Sequence, residues 1–115
     1  MYQMSYAETL EDSGTEKRSQ EKEVFTLAIV QLRAAKDEGV NSEAAAKALT
    51  TVRKLWGFLI EDLGSDQNAL PEEMRARLIS IGLWCLKQAD LIRTGASEDF
   101  NGLIEINQIV RDGLG

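Results

Sequence analysis

Residues 42–64 carry an apolar stripe of helical period, which restricts this segment to an amphipathic helix with one buried face. The stripe consists of Ala45, Leu49, Val52, Trp56, Leu59, Ile60 and Leu63. Ser42 precedes the stripe as an N-cap residue, and Gly64 follows it where a helix can end. A chain built on such a helix must supply other apolar faces to cover it.

Three further segments have the same period. A first helix is predicted from about Thr15 to Gly39, a residue suited to a left-handed helix end. Its apolar face comprises Phe25, Ala28, Ile29, Leu32 and Ala35. A third helix is predicted from Pro71, in the first helical position, to about Thr94, and a fourth begins after the cap residue Ser97.

No segment alternates between apolar and polar residues for long enough to predict a strand. The short connections favour antiparallel neighbours, so the predicted fold is all-α, a small antiparallel bundle of about four helices. Residues 1–14 show no sustained period and are predicted to form a flexible N-terminal arm. Residues 15–115 are predicted to form a single helical domain.

The composition restricts the chemistry. The chain has 19 acidic and 13 basic residues, no histidine and one cysteine. These residues provide no intrachain disulfide, no Cys/His zinc site and no histidine general base, so we expect no enzyme activity, no metal and no cofactor. The formal charge of −6 disfavours nucleic acid as a partner and favours a protein.

Two further expectations concern location and the lone thiol. The first residues lack the regions of a secretory signal, and the most apolar run, residues 78–86, is too short to span a bilayer. We therefore expect a cytoplasmic protein with no membrane contact. Cys85 lies in an apolar stripe with no histidine to activate it, which predicts a buried, inert thiol.

The third predicted helix has two apolar faces. Met74, Leu78, Ile81, Cys85 and Ile92 share one arc of the helical wheel, and Ile79, Leu83 and Leu86 share another. Either this helix lies centrally and is covered on both sides, or the second face contributes to a groove for another helix. The other predicted helices also carry apolar side chains outside their main stripes. These are Leu27 and Val30 on the first helix, Phe58 on the second, and Ile106 and Ile109 on the fourth.

Three other residues have competing interpretations. Trp56 and Trp84 could lie in the core or contact a partner, and the core is predicted for both, because large aromatic side chains are commonly buried. Arg75 lies in the first turn of its helix, where its charge opposes the helix dipole. The Arg75 side chain is therefore expected either to pair with a carboxylate elsewhere in the bundle or to contact a partner.

Three stretches, taken in order, resemble the FlaF family of flagellar biosynthesis proteins. They are Met1-Tyr2-Gln3 with Tyr6; Arg53-Lys-Leu55-Trp56 followed by Asp62-Leu63; and Asn68-Ala-Leu70-Pro71 leading into Arg75-Ala76, Leu78-Ile79-Ser80-Ile81 and Trp84. The resemblance covers about the first ninety residues. No single stretch is specific, but the ordered combination is.

The resemblance implies a helical protein that binds flagellin as a cytoplasmic chaperone and promotes its synthesis or secretion. Such proteins act opposite FlbT, a repressor of flagellin translation, which is a possible second partner. Flagellin's terminal segments are amphipathic helices, so helix-in-groove binding is the expected mechanism. The predicted contact residues are Phe58, Ile79, Leu83 and Leu86, with Tyr2 and Tyr6 on the arm as clamps.

Two alternatives stay open at this point. One is an RNA-associated regulator that acts on flagellin mRNA, for which the local clusters Arg53/Lys54 and Arg75/Arg77 are the only support. The other is a helical homo-oligomeric adaptor that pairs its surplus apolar face with a second copy and makes no direct contact with flagellin.

Overall fold

The computed structural model describes the backbone of residues 6–114 and the side chains of residues 18–114. This part of the chain contains four helices and no strand: α1 (Tyr6–Glu38), α2 (Glu43–Leu63), α3 (Glu72–Arg93) and α4 (Phe100–Gly113). The predicted all-α class and the number of helices are confirmed.

The ends of α1 and α2 follow the predicted signals. Gly39 ends α1 with a φ of +100°, a conformation that residues with a Cβ rarely adopt. Ser42 caps α2, because its Oγ accepts a hydrogen bond from the backbone N–H of Ala45 at 3.0 Å. Gly64 closes the same helix, and its N–H donates to the carbonyl oxygen of Ile60.

Two predicted starts are displaced by a few residues. Pro71 occupies the N-cap of α3 rather than the first helical position. Asp99, not Ser97, caps α4, because its Oδ1 accepts from the N–H of Gly102 at 3.1 Å. The Oγ of Ser97 instead accepts from the N–H of Asp99, so the two residues form successive turns ahead of the helix.

The predicted arm overlaps the start of α1. The helix begins at Tyr6 rather than near Thr15, and residues 1–5 lie outside the described part of the chain. The flexibility of residues 1–14 stays a prediction.

The helices pack in a ring. Helix α1 packs against α2 and α4, α2 also packs against α3, and α3 and α4 contact each other least. Each short connection joins neighbours in this ring, which is the topology expected of an up-down bundle. None of the described helices is long and apolar enough to cross a membrane.

Trp56 lies at the centre of the bundle and is fully buried, as predicted. Its ring meets Phe25 of α1 edge-on, with centroids 5.6 Å apart and planes at 78°. Its Nε1–H donates to Oδ1 of Asn107 in α4 at 2.8 Å. Asn107 in turn donates to the carbonyl oxygen of Leu103 at 2.7 Å and to Sγ of Cys85 in α3 at 3.9 Å. One residue from each helix therefore meets in a single contact network.

Helix α3 turns mostly small side chains toward the core. Its buried residues are Gly82, Cys85, Ala89 and Ile92. A Cβ added at Gly82 would lie 2.6 Å from Cε3 of Trp56, so only glycine allows α2 and α3 to approach this closely. Cys85 and Ile92 were predicted on this face, but Met74, predicted with them, is exposed.

Candidate functional site

A groove of about 600 Å³ runs between α2 and α3. It is lined by Thr50, Arg53, Lys54 and Gly57 of α2 and by Leu86 and Asp90 of α3. The absence of a side chain at Gly57 opens the α2 wall opposite Leu86. We call this the α2–α3 groove.

The predicted contact residues lie in or beside this groove. Leu86 lines it, and Ile79 and Leu83 lie two turns and one turn before Leu86 on the same side of α3. Phe58 lies one turn after Lys54 on α2. Ile79 and Leu86 are half-buried against the core, whereas Phe58 and Leu83 are 57% and 56% exposed.

The second apolar face of α3 therefore matches neither sequence-based interpretation fully. A helix covered on both sides would bury Leu83, and a free face would expose Leu86. This face of α3 is partly covered: Ile79 and Leu86 pack against the core, and Leu83 stays exposed beside them. Tyr2 lies outside the described residues, and Tyr6 lies among those whose side chains are not described.

The rim of the α2–α3 groove is basic. Asp90 is paired, because its Oδ1 accepts from Nη2 of Arg93 at 2.5 Å. Among the described residues no carboxylate pairs with Arg53 or Lys54, so these two cations face the groove unneutralised.

A second groove, of about 480 Å³, lies on the other side of α3. Its walls include Ile81 and Trp84 of α3 and Gly102, Glu105, Ile106 and Ile109 of α4. Glu105 is the one charged residue in this lining. We call this the α3–α4 groove.

Trp84 lies in this groove and is 41% exposed, so its predicted place in the core is wrong. The ring lies over the α4 backbone, since a Cβ added at Gly102 would come within 3.3 Å of Cη2 of Trp84. One signal in the sequence could have found it. Trp84 immediately precedes Cys85, so it lies about 100° around the helix from a residue that was correctly placed in the core.

Arg75 pairs with no carboxylate among the described residues, and its contact with a partner stays a prediction. Its Nε donates to the carbonyl oxygen of Leu70 at 3.0 Å, and its Nη1 donates to that of Leu63 at 3.3 Å. The guanidinium thus satisfies a backbone acceptor at the end of α2 and ties the α2–α3 connection to α3. Asn68 stabilises the same connection, with its Nδ2 donating to Oδ2 of Asp62 at 3.3 Å and its Oδ1 accepting from the N–H of Leu70.

The lone thiol is buried, as predicted. Desolvation raises the pKa of Cys85 from its ordinary 9.0 to about 12, against a smaller lowering by the hydrogen bond from Asn107. At neutral pH the sulfur is a protonated core atom and a poor nucleophile. Within the described residues, no three His, Cys, Asp or Glu side chains are grouped to hold a metal ion.

A known protein family matches almost the whole length of the chain. The family model for the flagellar protein FlaF matches residues 2–114, which extends through α4 and beyond the stretches that carried the resemblance. No curated protein and no solved structure matches the chain significantly. The matched range includes all four helices and both grooves, and the chain therefore belongs to the FlaF family of flagellar proteins.

Proposed function

We propose that this protein is a cytoplasmic chaperone that binds flagellin and promotes its synthesis and secretion. Membership of a flagellar protein family supports a flagellar role. One observation carries the binding step: Phe58 and Leu83 are large, apolar and more than half exposed beside the α2–α3 groove. A partner that covers them would remove apolar surface from water on both chains.

The proposed ligand segment is an amphipathic helix at one end of flagellin. Such a helix presents apolar side chains at positions i, i+3, i+4 and i+7, and a seam between two helices receives this pattern. Leu86 and Gly57 form the floor on which the incoming side chains would rest. Covering the segment before assembly would prevent flagellin from associating prematurely.

The charges at the rim add a constraint on orientation. Arg53 and Lys54 lie on the α2 wall, so acidic side chains on that flank of the incoming helix are favoured. Because such rim charges act mainly on association rates, we expect the affinity to rest on the apolar contacts and the on-rate to fall with salt.

The test is calorimetric titration of the protein with flagellin, first at full length and then with each terminal segment deleted. Micromolar or tighter binding with a negative heat-capacity change, lost on deletion of one terminus, supports the proposal and locates the bound helix. Leu83→Asp is expected to weaken binding at least about tenfold, because a charge would be buried in the contact.

Val30→Asp is the matched control for Leu83→Asp. Val30 is also 56% exposed, but it lies on α1, which does not pack against α3. Both variants should retain wild-type melting, since neither side chain is buried. Equal effects of the two variants would contradict this choice of surface, and no binding of flagellin by the wild type would contradict a direct chaperone role.

FlbT and RNA are the partners to test next in that case. The RNA alternative has one structural feature in its favour, the unneutralised pair Arg53 and Lys54. It predicts binding to flagellin mRNA that weakens steeply with salt, which a titration at two salt concentrations would measure.

A further inference from the structure

We propose that the α3–α4 groove is a second docking site, separate from the first, and that it takes an amphipathic helix flanked by lysine or arginine. The proposal rests on the composition and charge of this groove and does not depend on flagellin being the partner of the other one.

The floor of the groove is an apolar surface around an indole ring. Trp84 is 41% exposed and Ile109 is 65% exposed, which makes Ile109 the most exposed of the large apolar side chains in the described chain. Ile81 and Ile106 are half-buried between them and the core. A partly exposed tryptophan beside branched aliphatic residues is typical of the anchor of a protein interface.

The lack of close packing between α3 and α4 explains why this surface stays open. These helices contact each other less than any other neighbouring pair in the ring. The Trp84 ring packs directly on Gly102, because a Cβ there would lie 3.3 Å from Cη2, and Trp84 is still 41% exposed. A helix laid along the seam would contact both walls at once, which is the geometry of helix-in-groove recognition.

The charge of the groove selects the occupant. Glu105 lines it without an ion-pair partner among the described residues. Asp112 lies two turns further along the same side of α4, although it pairs with the adjacent Arg111. Asp99 lies at the other end, with Oδ2 at 2.9 Å from the position that a Cβ on Gly102 would take. An incoming helix with basic flanks would meet the carboxylate of Glu105 in the lining, between the capping residue Asp99 at one end of α4 and the Asp112–Arg111 pair at the other.

The same charges argue against a second copy of this chain. A two-fold dimer in which α4 packs against its own copy would bring the two Glu105 side chains close together. Like charges placed together at an interface weaken association. A basic amphipathic helix meets no such penalty.

The two grooves can be occupied together. Trp84 and Leu86 are two residues apart on α3, so they lie roughly 160° apart around the helix. A segment in one groove therefore does not cover the other.

The experiment uses a synthetic helical peptide as the probe. It contains about 18 residues, enough to form a helix, with leucine at i, i+3, i+4 and i+7 and lysine on both flanks. A second peptide carries glutamate in place of every lysine. Binding is followed by tryptophan emission, because the exposed Trp84 responds to coverage while the buried Trp56 does not.

We expect the lysine peptide to bind and the glutamate peptide to bind at least about tenfold more weakly. Ile109→Asp should weaken the lysine peptide at least about tenfold. Leu83→Asp, in the other groove, should change its affinity less than about twofold. Glu105→Lys should reverse the preference between the two peptides, and the exposed Glu105 side chain makes no ion pair with another described residue.

Three results would overturn the proposal. They are equal binding of the two peptides, an unchanged affinity in folded Ile109→Asp protein, and no change in emission at any peptide concentration up to about 1 mM, where a site of this kind must respond. A stable dimer in light scattering that dissociates in Ile109→Asp would also overturn it, because a second copy would then occupy the surface.

Discussion

The two sides of helix α3 are packed in opposite ways. On the α2 side, Gly82 lets the helices approach until no space is left for a methyl group beside Trp56. On the α4 side, the helices hardly touch and Trp84 stays partly in water. The charges of the two linings also differ, with Arg53 and Lys54 in the α2–α3 groove and Glu105 in the α3–α4 groove.

This difference shows that the size of the residues on a helix face decides how closely its neighbour packs. The buried face of α3 has small residues at three of its four positions, and the helix carries its tryptophan and Leu83 on the outside. Close approach by small residues gives dense contact without large side chains. The large side chains are thereby left available for a partner.

The two tryptophans give the sharpest test of the contrast. Trp56→Ala should lower the free energy of unfolding by about 3–5 kcal/mol, because it removes a fully buried ring and leaves a cavity. Trp84→Ala should cost about 1 kcal/mol, because much of its ring is already in water. Urea unfolding followed by helical circular dichroism measures both. Similar losses would show that Trp84 is part of the core.

The glycine contact between α3 and α2 is tested by adding one methyl group at Gly82 and, as a control, one at Gly57. Gly82→Ala should destabilise the protein by about 1–3 kcal/mol, because the new Cβ would lie 2.6 Å from the Trp56 ring. Gly57→Ala, also inside a helix but with nothing within 4 Å, should stabilise it by about 0.5–1 kcal/mol. Thermal melting measures both effects. A higher melting temperature in both variants would contradict the close contact between Gly82 and Trp56.

The next largest loss of stability is expected from replacing the buried Asn107. Asn107→Ala removes the acceptor of the Trp56 indole N–H and leaves a buried donor unsatisfied, at a cost of about 1–3 kcal/mol. Asn101→Ala, an exposed asparagine in the same helix, should change stability by less than about 0.5 kcal/mol. A double-mutant cycle with Trp56→Phe isolates the hydrogen bond, and no coupling in that cycle would contradict its role.

The sequence predicts α2 well because its apolar residues form a single stripe. Trp56 falls inside that stripe, and the structure buries it. The caps at Ser42 and Gly64 could be located because each has one clear physical reason. Four helices and their order follow from the same kind of pattern.

The sequence does not show which face of α3 is buried, because apolar residues cover most of the circumference of this helix. Period alone cannot tell which arc is buried when both arcs are apolar. Gly82 and Ala89 mark the true core face, but small residues contribute little to an apolar pattern. Leu83 and Phe58 were placed correctly off the core stripes, whereas Trp84 and Met74 were not.

Cys85 gives the prediction with the smallest effect at neutral pH. Burial raises the pKa of the thiol to about 12, so the folded protein holds this proton more tightly than the unfolded chain, in which the pKa is near 9.0. Below about pH 9 both states are protonated and the contribution to stability is present in full. Between about pH 9 and 12 the unfolded chain ionises first, so stability falls as pH rises.

Urea unfolding at pH 7, 9 and 10.5 measures this loss, with Cys85→Ala as the comparison. The variant lacks the thiol, so its stability should fall less steeply above pH 9, and the difference between the two curves isolates the contribution of Cys85. A thiol reagent at pH 7 should label the native protein only as fast as it opens, because the sulfur is both protonated and buried. Rapid labelling of folded protein, or identical pH slopes for the two proteins, would show that solvent reaches the centre of the bundle from the open α4 side.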